Sequence, residues 1–142
     1  MPKDSQLTKH YDGRVKEIKT EVAVKSMGAS DDMFHSYDAI WDTGAMDSCI
    51  SPKAVSELNL QSYDAVRVRG VGDDTGRLCP VYLMNLKLSN GVVIKGVRMV
   101  GVEIGGGSDV LIGMNVIARG NFSIFYDVQE DMNMSFELLY KI

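Results

Sequence analysis

A chain of 142 residues, 45% of them apolar, fits one domain with a sizeable core and leaves no room for two lobes with separate cores. Its 15 basic and 19 acidic residues are mixed along the chain, so the net charge of −4 comes without a block of either sign, which argues against nucleic-acid and membrane-surface partners. The opening MPKDSQLTKHYDG has no apolar leader, no run reaches the ~18 apolar residues of a membrane span, and two cysteines, Cys49 and Cys79, make one bridge at most, so a soluble cytoplasmic protein with reduced thiols is expected.

From Ile18 onward, Ile18, Thr20, Val22 and Val24 alternate with Lys19, Glu21, Ala23 and Lys25, the period of two of a half-buried strand. Residues 26–32 are small and polar and predict a loop. Residues 34–41 then run extended into Asp42-Thr43-Gly44, so Asp42 falls where a strand ends. Ser51-Pro52 ahead of KAVSELNL supplies an N-cap hydroxyl and a proline in the first helical position, with Ala54, Val55 and Leu58 at helical spacing, and predicts one short helix. Residues 65–104 are rich in Val, Leu, Ile and Tyr and predict antiparallel strands, with Asn90-Gly91 as a tight hairpin turn. Gly105-Gly106-Gly107 reads as a loop leading into apolar 110–112, and residues 114–119 as a second short helix ended by Gly120. NFSIFYDV and MSFELLYKI, either side of polar QEDMN, predict a closing hairpin. Short strands, two brief helices and frequent glycine turns add up to a compact β barrel or sandwich.

Chemistry concentrates in residues 39–51, AIWDTGAMDSCIS, where Asp42-Thr43-Gly44-Ala45 stands between apolar stretches. About seventy residues later comes Val110-Leu111-Ile112-Gly113-Met114-Asn115, and between the two lies the glycine-rich stretch 68–78, VRGVGDDTGRL. In that order these landmarks resemble the retropepsin family, the single-lobed aspartic proteases of retroviral type, over roughly residues 34–142. The resemblance implies an all-β fold, a closed or partly open β-barrel of the acid-protease type with one or two short helices. It also implies a division into residues 1–30, an N-terminal extension or added strand, and residues 31–142, the protease domain, within one structural unit. Asp42, Thr43 and Gly44 would be the catalytic triplet, and Ala45, Asp47 and the flap residues Gly70, Val71 and Gly72 would bind substrate. No cofactor and no metal are implied.

The residue types suit that chemistry on physical grounds. Two carboxylates against one water cannot both ionise, so they share a proton; one acts as base toward the water while the other hydrogen-bonds the developing oxyanion. Gly44 lets the backbone pass close to the carboxylate, takes dihedrals closed to other residues, and can donate its amide to the carboxylate. Since one chain supplies a single Asp42, a homodimer acting on a peptide or protein substrate follows, with the site on the two-fold axis. In the family Thr43 grips the partner's backbone and the chain termini pair across the interface, and residues 134–141 are the expected strand for that role. A second Asp-Thr-Gly, Asp74-Thr75-Gly76, lies only 32 residues beyond the first, too few for a second lobe, and reads as the flap turn.

Retroviral relatives commonly read Asp-Thr-Gly-Ala-Asp-Asp and Ile-Gly-Arg-Asn, with an ion pair between the first Asp after Ala and that Arg. Here Met46 and Met114 hold those positions, and an apolar contact between them is expected in place of the pair. His10 and His35 belong to no metal-ligand spacing, and Cys49 has no histidine at a recognisable distance, so it is expected to pack as a small apolar residue. Two other readings compete. One is a catalytically silent dimer of the same fold that binds peptides or acts as a scaffold; the other is an unrelated β-rich ligand-binding barrel.

Overall fold

The computed structural model describes residues 5–69 and 76–139. In chain order its elements are β1 (Gln6–His10), β2 (Ile18–Ser26), β3 (His35–Trp41), β4 (Ser48–Ile50), α1 (Pro52–Glu57), β5 (Asp64–Val68), β6 (Arg77–Leu88), β7 (Val93–Gly101), β8 (Val110–Ile112), α2 (Met114–Ile117), β9 (Gly120–Tyr126) and β10 (Met132–Leu138). Period-two alternation sends Ile18, Val22 and Val24 of β2 inward, where they meet Ala39, Ile50, Met84, Leu86, Ile94, Val97, Met99, Val110 and Ile112 in one core. Each fully buried Val, Leu, Ile or Met side chain of this set contributes about 1.5–3 kcal/mol relative to exposure.

Six strands close into a barrel in the order β2-β3-β8-β4-β7-β6, because β2 pairs with both β3 and β6. The expected barrel is therefore a closed one. Residues 18–26, within the segment 1–30 read as an N-terminal extension or added strand, are one of its strands. Two of the pairings are parallel, β3 with β8 and β4 with β7. β5 adds to the outer edge of β6 as one arm of a hairpin, with Val66 opposite Cys79 and Val68 opposite Arg77. Residues 70–75, which include the expected flap residues Gly70, Val71 and Gly72 and the Asp74-Thr75 of the second triplet, lie outside the described residues.

The helix signals hold in detail. Ser51 Oγ accepts the Ala54 amide at 3.1 Å, and Pro52 opens α1. α2 stops at Ile117, but Gly120 is not its C-cap. It is the first residue of β9, and a Cβ there would lie 2.1 Å from the Glu137 carbonyl oxygen, so glycine is required by the approach of β10.

A second sheet, ordered β1-β10-β9, packs against the barrel end that carries Trp41. The Trp41 indole stacks on Phe122 at 5.5 Å and tilts against Phe136 at 5.2 Å, while its Nε1 donates to the buried Thr20 hydroxyl at 2.9 Å. β10 is the middle strand, paired over Asn133–Glu137 with β1 and over its whole length with β9. The expectation that residues 134–141 pair across a dimer is corrected through residue 138: both hydrogen-bonding edges of that strand are filled from within its own chain. His10 fastens β1 at the hairpin end, its Nε2 3.0 Å from Asp131 Oδ2, while Asp131 Oδ1 accepts the Gly13 amide at 2.8 Å. His10 is thus more than the ordinary surface residue expected of it.

Candidate active site

Asp42 leaves the end of β3 directly beside the end of β8. Trp41 pairs with Ile112, and the Asp42 amide donates to the Ile112 carbonyl at 2.9 Å. The chain then turns through Thr43 and Gly44 into β4. Inside that turn the Gly44 amide donates to Asp42 Oδ1 at 2.8 Å, and the Ala45 amide to the Asp42 carbonyl at 3.3 Å. Asp42 is half-buried, Thr43 and Gly44 are exposed, and Ala45 and Asp47 are half-buried. Gly44 sits outside the left-handed region, so its conformational freedom is not what the turn uses. Close approach is the reason for glycine: a Cβ there would stand 3.2 Å from Asp42 Oδ1.

The second motif forms the floor of the turn. A Cβ on Gly113 would lie 2.5 Å from the Asp47 carbonyl oxygen and 3.0 Å from that of Ala45, so the loop rests on bare backbone. Met114 and Asn115 donate their amides to the carbonyls of Ala45 and Met46 at 2.7 and 3.0 Å. Asn115 does the most. Its Oδ1 accepts from both the amide and the hydroxyl of Ser48, at 3.0 and 2.7 Å, while its Nδ2 donates to the Arg98 carbonyl at 2.9 Å. Ser48, fully buried, in turn accepts the Gly113 amide at 3.0 Å on its hydroxyl. Loop, floor and β7 are thereby held by one satisfied polar network, of a kind that fixes a conformation more firmly than separate bonds. Sequence reasoning missed Ser48 and the bridging role of Asn115. The available signal was a serine at an inward position of β4, between Asp47 and apolar Cys49-Ile50, which in a core strand requires a partner.

Electrostatics around the turn are simple. Asp47 faces Arg98, with Oδ1 and Nε 3.6 Å apart at a half-exposed position where such a pair is worth little. Burial, seconded by the charges of Asp47 and Asp42 and by Cys79, pushes the Cys49 thiol up to about 11. It stays protonated at neutral pH and behaves as the small apolar residue its sequence context implies. Cys49 packs with Cys79, Val81 and Val100 in a cluster that also takes Val66, Val68 and Val102. This ties the β5–β6 hairpin to the strand that follows the turn.

The expected contact between Met46 and Met114 is not supported. Met46 is 83% exposed, which leaves little of it against its own chain, while Met114 packs half-buried on the core. Thus Asp42, Thr43, Gly44, Ala45 and Asp47 come together, and Gly70, Val71 and Gly72 lie outside the described residues. Among the described residues, His10, Asp127 and Asp131 bring possible metal-ligating atoms within 4.8 Å of one another. They sit at the hairpin end of the second sheet, where Asp127 Oδ2 already accepts from Asn133 Nδ2 at 3.0 Å and Asp131 takes His10 and Gly13. Asp127 is held below the usual carboxylate range, first by that Asn133 bond.

Residues 16–116 match the model of the aspartyl protease family. Among solved structures, the chain is similar to the EIAV protease in complex with an inhibitor, at 19% identity and a TM-score of 0.55, over 72% of this chain and 86% of that one. It is also similar to a retropepsin-like aspartic protease from Rickettsia conorii, at 13% identity and a TM-score of 0.52, over 97% of this chain and 99% of that one. At those identities the two likenesses bear on the fold. No curated protein matches the chain.

Proposed function

Because this chain belongs to the aspartyl protease family and has a retropepsin-like fold, we propose that it is an aspartic endopeptidase that works as a homodimer, each subunit contributing Asp42. The observation that carries the reading is the way Asp42 is presented: half-buried at a strand end, its Oδ1 fixed by the Gly44 amide, on a turn seated on the bare backbone of Gly113. A carboxylate held in that way is oriented, and the chemistry calls for a second one beside it.

Brought together on a two-fold axis, two such carboxylates share one proton over a single water. One takes a proton from the water as it attacks the peptide carbonyl, and the other donates to the carbonyl oxygen as the tetrahedral centre forms. Proton transfer to the departing amine completes the cleavage. An extended peptide would lie between this floor and the β5–β6 hairpin, paired through its backbone as an added strand, with Ala45, Asp47 and the expected flap residues Gly70, Val71 and Gly72 binding it. Thr43, exposed beside Asp42, would grip the partner's backbone. We place the protein in the cytoplasm, where the thiols of Cys49 and Cys79 stay reduced.

Digestion of a diverse peptide mixture across acidic and neutral pH, with mass spectrometry of the products, tests the proposal. A pair sharing one proton predicts a bell-shaped rate: cleavage falls at low pH as both carboxyls become protonated and at higher pH as the last proton leaves. A rate independent of pH through this range, or intact peptides throughout, would rule out the shared-proton mechanism.

A further inference from the structure

We propose that His10, Asp127 and Asp131 form a binding site for a divalent transition-metal ion of the zinc type, which staples the edge strand β1 to the β9–β10 hairpin. None of the three residues belongs to the catalytic turn, and the protease reading stands or falls without them.

Three pieces of chain meet at the site. His10 is the last residue of β1, Asp127 follows β9, and Asp131 precedes β10. His10 Nε2 stands 3.0 Å from Asp131 Oδ2 and 3.7 Å from Asp127 Oδ2, and the possible ligand atoms of the three residues all lie within 4.8 Å of one another. A zinc ion with bonds of about 2.1 Å to nitrogen and oxygen sets its ligand atoms about 3.4 Å apart in a tetrahedron. The two distances to the imidazole bracket that value, and the His10 side chain is 51% exposed and free to adjust.

Both carboxylates are already aimed. Asp131 Oδ1 accepts the Gly13 amide at 2.8 Å, and Asp127 Oδ1 accepts the amides of Gln129 and Asp131 at 3.0 and 3.1 Å. In each residue these bonds hold one oxygen and leave the other, Oδ2, beside the imidazole. Asn133 Nδ2 adds a donor to Asp127 Oδ2 at 3.0 Å. Outer donors of this kind orient the ligands of metal sites. The Asn133 bond, first among several causes, holds the Asp127 carboxyl below its usual range, so it is ionised at neutral pH.

Charge creates the demand for a cation. Among the described residues no lysine or arginine pairs with either carboxylate, and His10 is their sole ionic partner. Lys9, next to it in sequence, lies over the Tyr11 ring at 6.0 Å. Two converging carboxylates repel unless positive charge stands between them. A proton on His10 supplies one such charge, and a divalent ion supplies two. Imidazole with two carboxylates suits zinc and its first-row neighbours, whereas calcium and magnesium take oxygen ligands. On binding, Nε2 gives its lone pair to the metal and the ring proton sits on Nδ1. The consequence falls on β1, whose only buried residue is Leu7 and whose hold on β10 rests mostly on the backbone ladder.

Calorimetric titration of zinc chloride into the chelator-treated full chain at neutral pH tests the site, with thermal melting and hydrogen exchange on the same samples. One zinc ion per chain is expected, with a dissociation constant in the micromolar range or below. At a hundredfold excess over that constant the melting temperature should rise by roughly 5–10 °C. Exchange of the amides of residues 6–11 should slow. His10→Ala and Asp131→Asn are each expected to weaken zinc binding at least about tenfold. Asparagine at 131 keeps an oxygen for the Gly13 amide, so that variant loses the ligand charge while retaining the turn. A folded variant of either kind that binds zinc as tightly as the wild type would place the metal elsewhere, and no binding at millimolar zinc would remove the site. Bound zinc that leaves exchange in residues 6–11 unchanged would overturn the staple.

Discussion

The Asp42→Asn protein is expected to fold as the wild type does and to cleave peptides roughly 10³-fold more slowly or worse. Asparagine matches aspartate in shape, and its Oδ1 still accepts the Gly44 amide, which lies 2.8 Å away in the wild type. The main-chain bond from residue 42 to the Ile112 carbonyl does not involve the side chain at all. Stability should therefore move little, with Tm shifting by no more than a few degrees. Chemistry is affected doubly, because one substitution in the gene removes both carboxylates of the dimer and leaves neither a base for the water nor an acid for the carbonyl oxygen. Comparing kcat/KM on the best-cleaved peptide of the mixture, alongside thermal melting, checks both halves. Wild-type turnover by the folded variant would take Asp42 out of the mechanism.

Gly113→Ala is expected to be the most damaging single-methyl change in the site. Its Cβ would stand 2.5 Å from the Asp47 carbonyl oxygen and 2.7 Å from the carbonyl carbon, with the Ala45 oxygen at 3.0 Å. All three are backbone atoms of the turn, so no side chain can swing aside. Relief requires lifting residues 45–47 off β8, and with them the bonds from Met114 and Asn115 to the Ala45 and Met46 carbonyls. A cost of about 3 kcal/mol follows for overpacking combined with broken hydrogen bonds, which corresponds to a fall in Tm of roughly 10 °C. Activity should fall with it, since the displaced turn carries Asp42. Gly44→Ala provides the contrast. There the nearest atom is Asp42 Oδ1 at 3.2 Å, a side-chain oxygen that can yield by a few tenths of an ångström, so melting should change much less while the carboxylate is reoriented. Equal melting temperatures for the two variants would contradict this account of the floor.

What could be read from the sequence followed from local rules. Alternation over residues 18–25 gave a strand, Ser51-Pro52 marked a helix start, and Asn90-Gly91 marked a hairpin, because each signal acts within a few residues. Asp42-Thr43-Gly44 and the motif ending in Gly113-Met114-Asn115 were legible as a pair. What joins them was not. The parallel pairing of β3 with β8 brings together residues about seventy positions apart, and with the antiparallel pairing of β4 with β8 it puts Gly113 under Asp47. Gly120 carried a misleading signal: a glycine after a helix suggests a C-cap, whereas this one yields space to β10. β1 left almost no trace, since Leu7 is its only buried residue. Its place beside β10 also explains why the closing strand, read as a free edge for a partner, is occupied from within the chain. Met46 followed the same logic in reverse. Apolar residues at two positions that carry an ion pair in relatives suggested a contact inside the chain, yet the turn leaves Met46 83% exposed.

Mixing the two forms of the chain measures the shared site directly. Wild type and Asp42→Asn, exchanged to equilibrium at constant total concentration, form dimers in random proportion, and only those with two intact carboxylates should cleave. At equal amounts the rate is expected to be about one quarter of the all-wild-type rate, following the square of the wild-type fraction. A rate of about one half, falling in simple proportion to wild-type chains, would mean that each Asp42 acts without its counterpart, and would contradict the account.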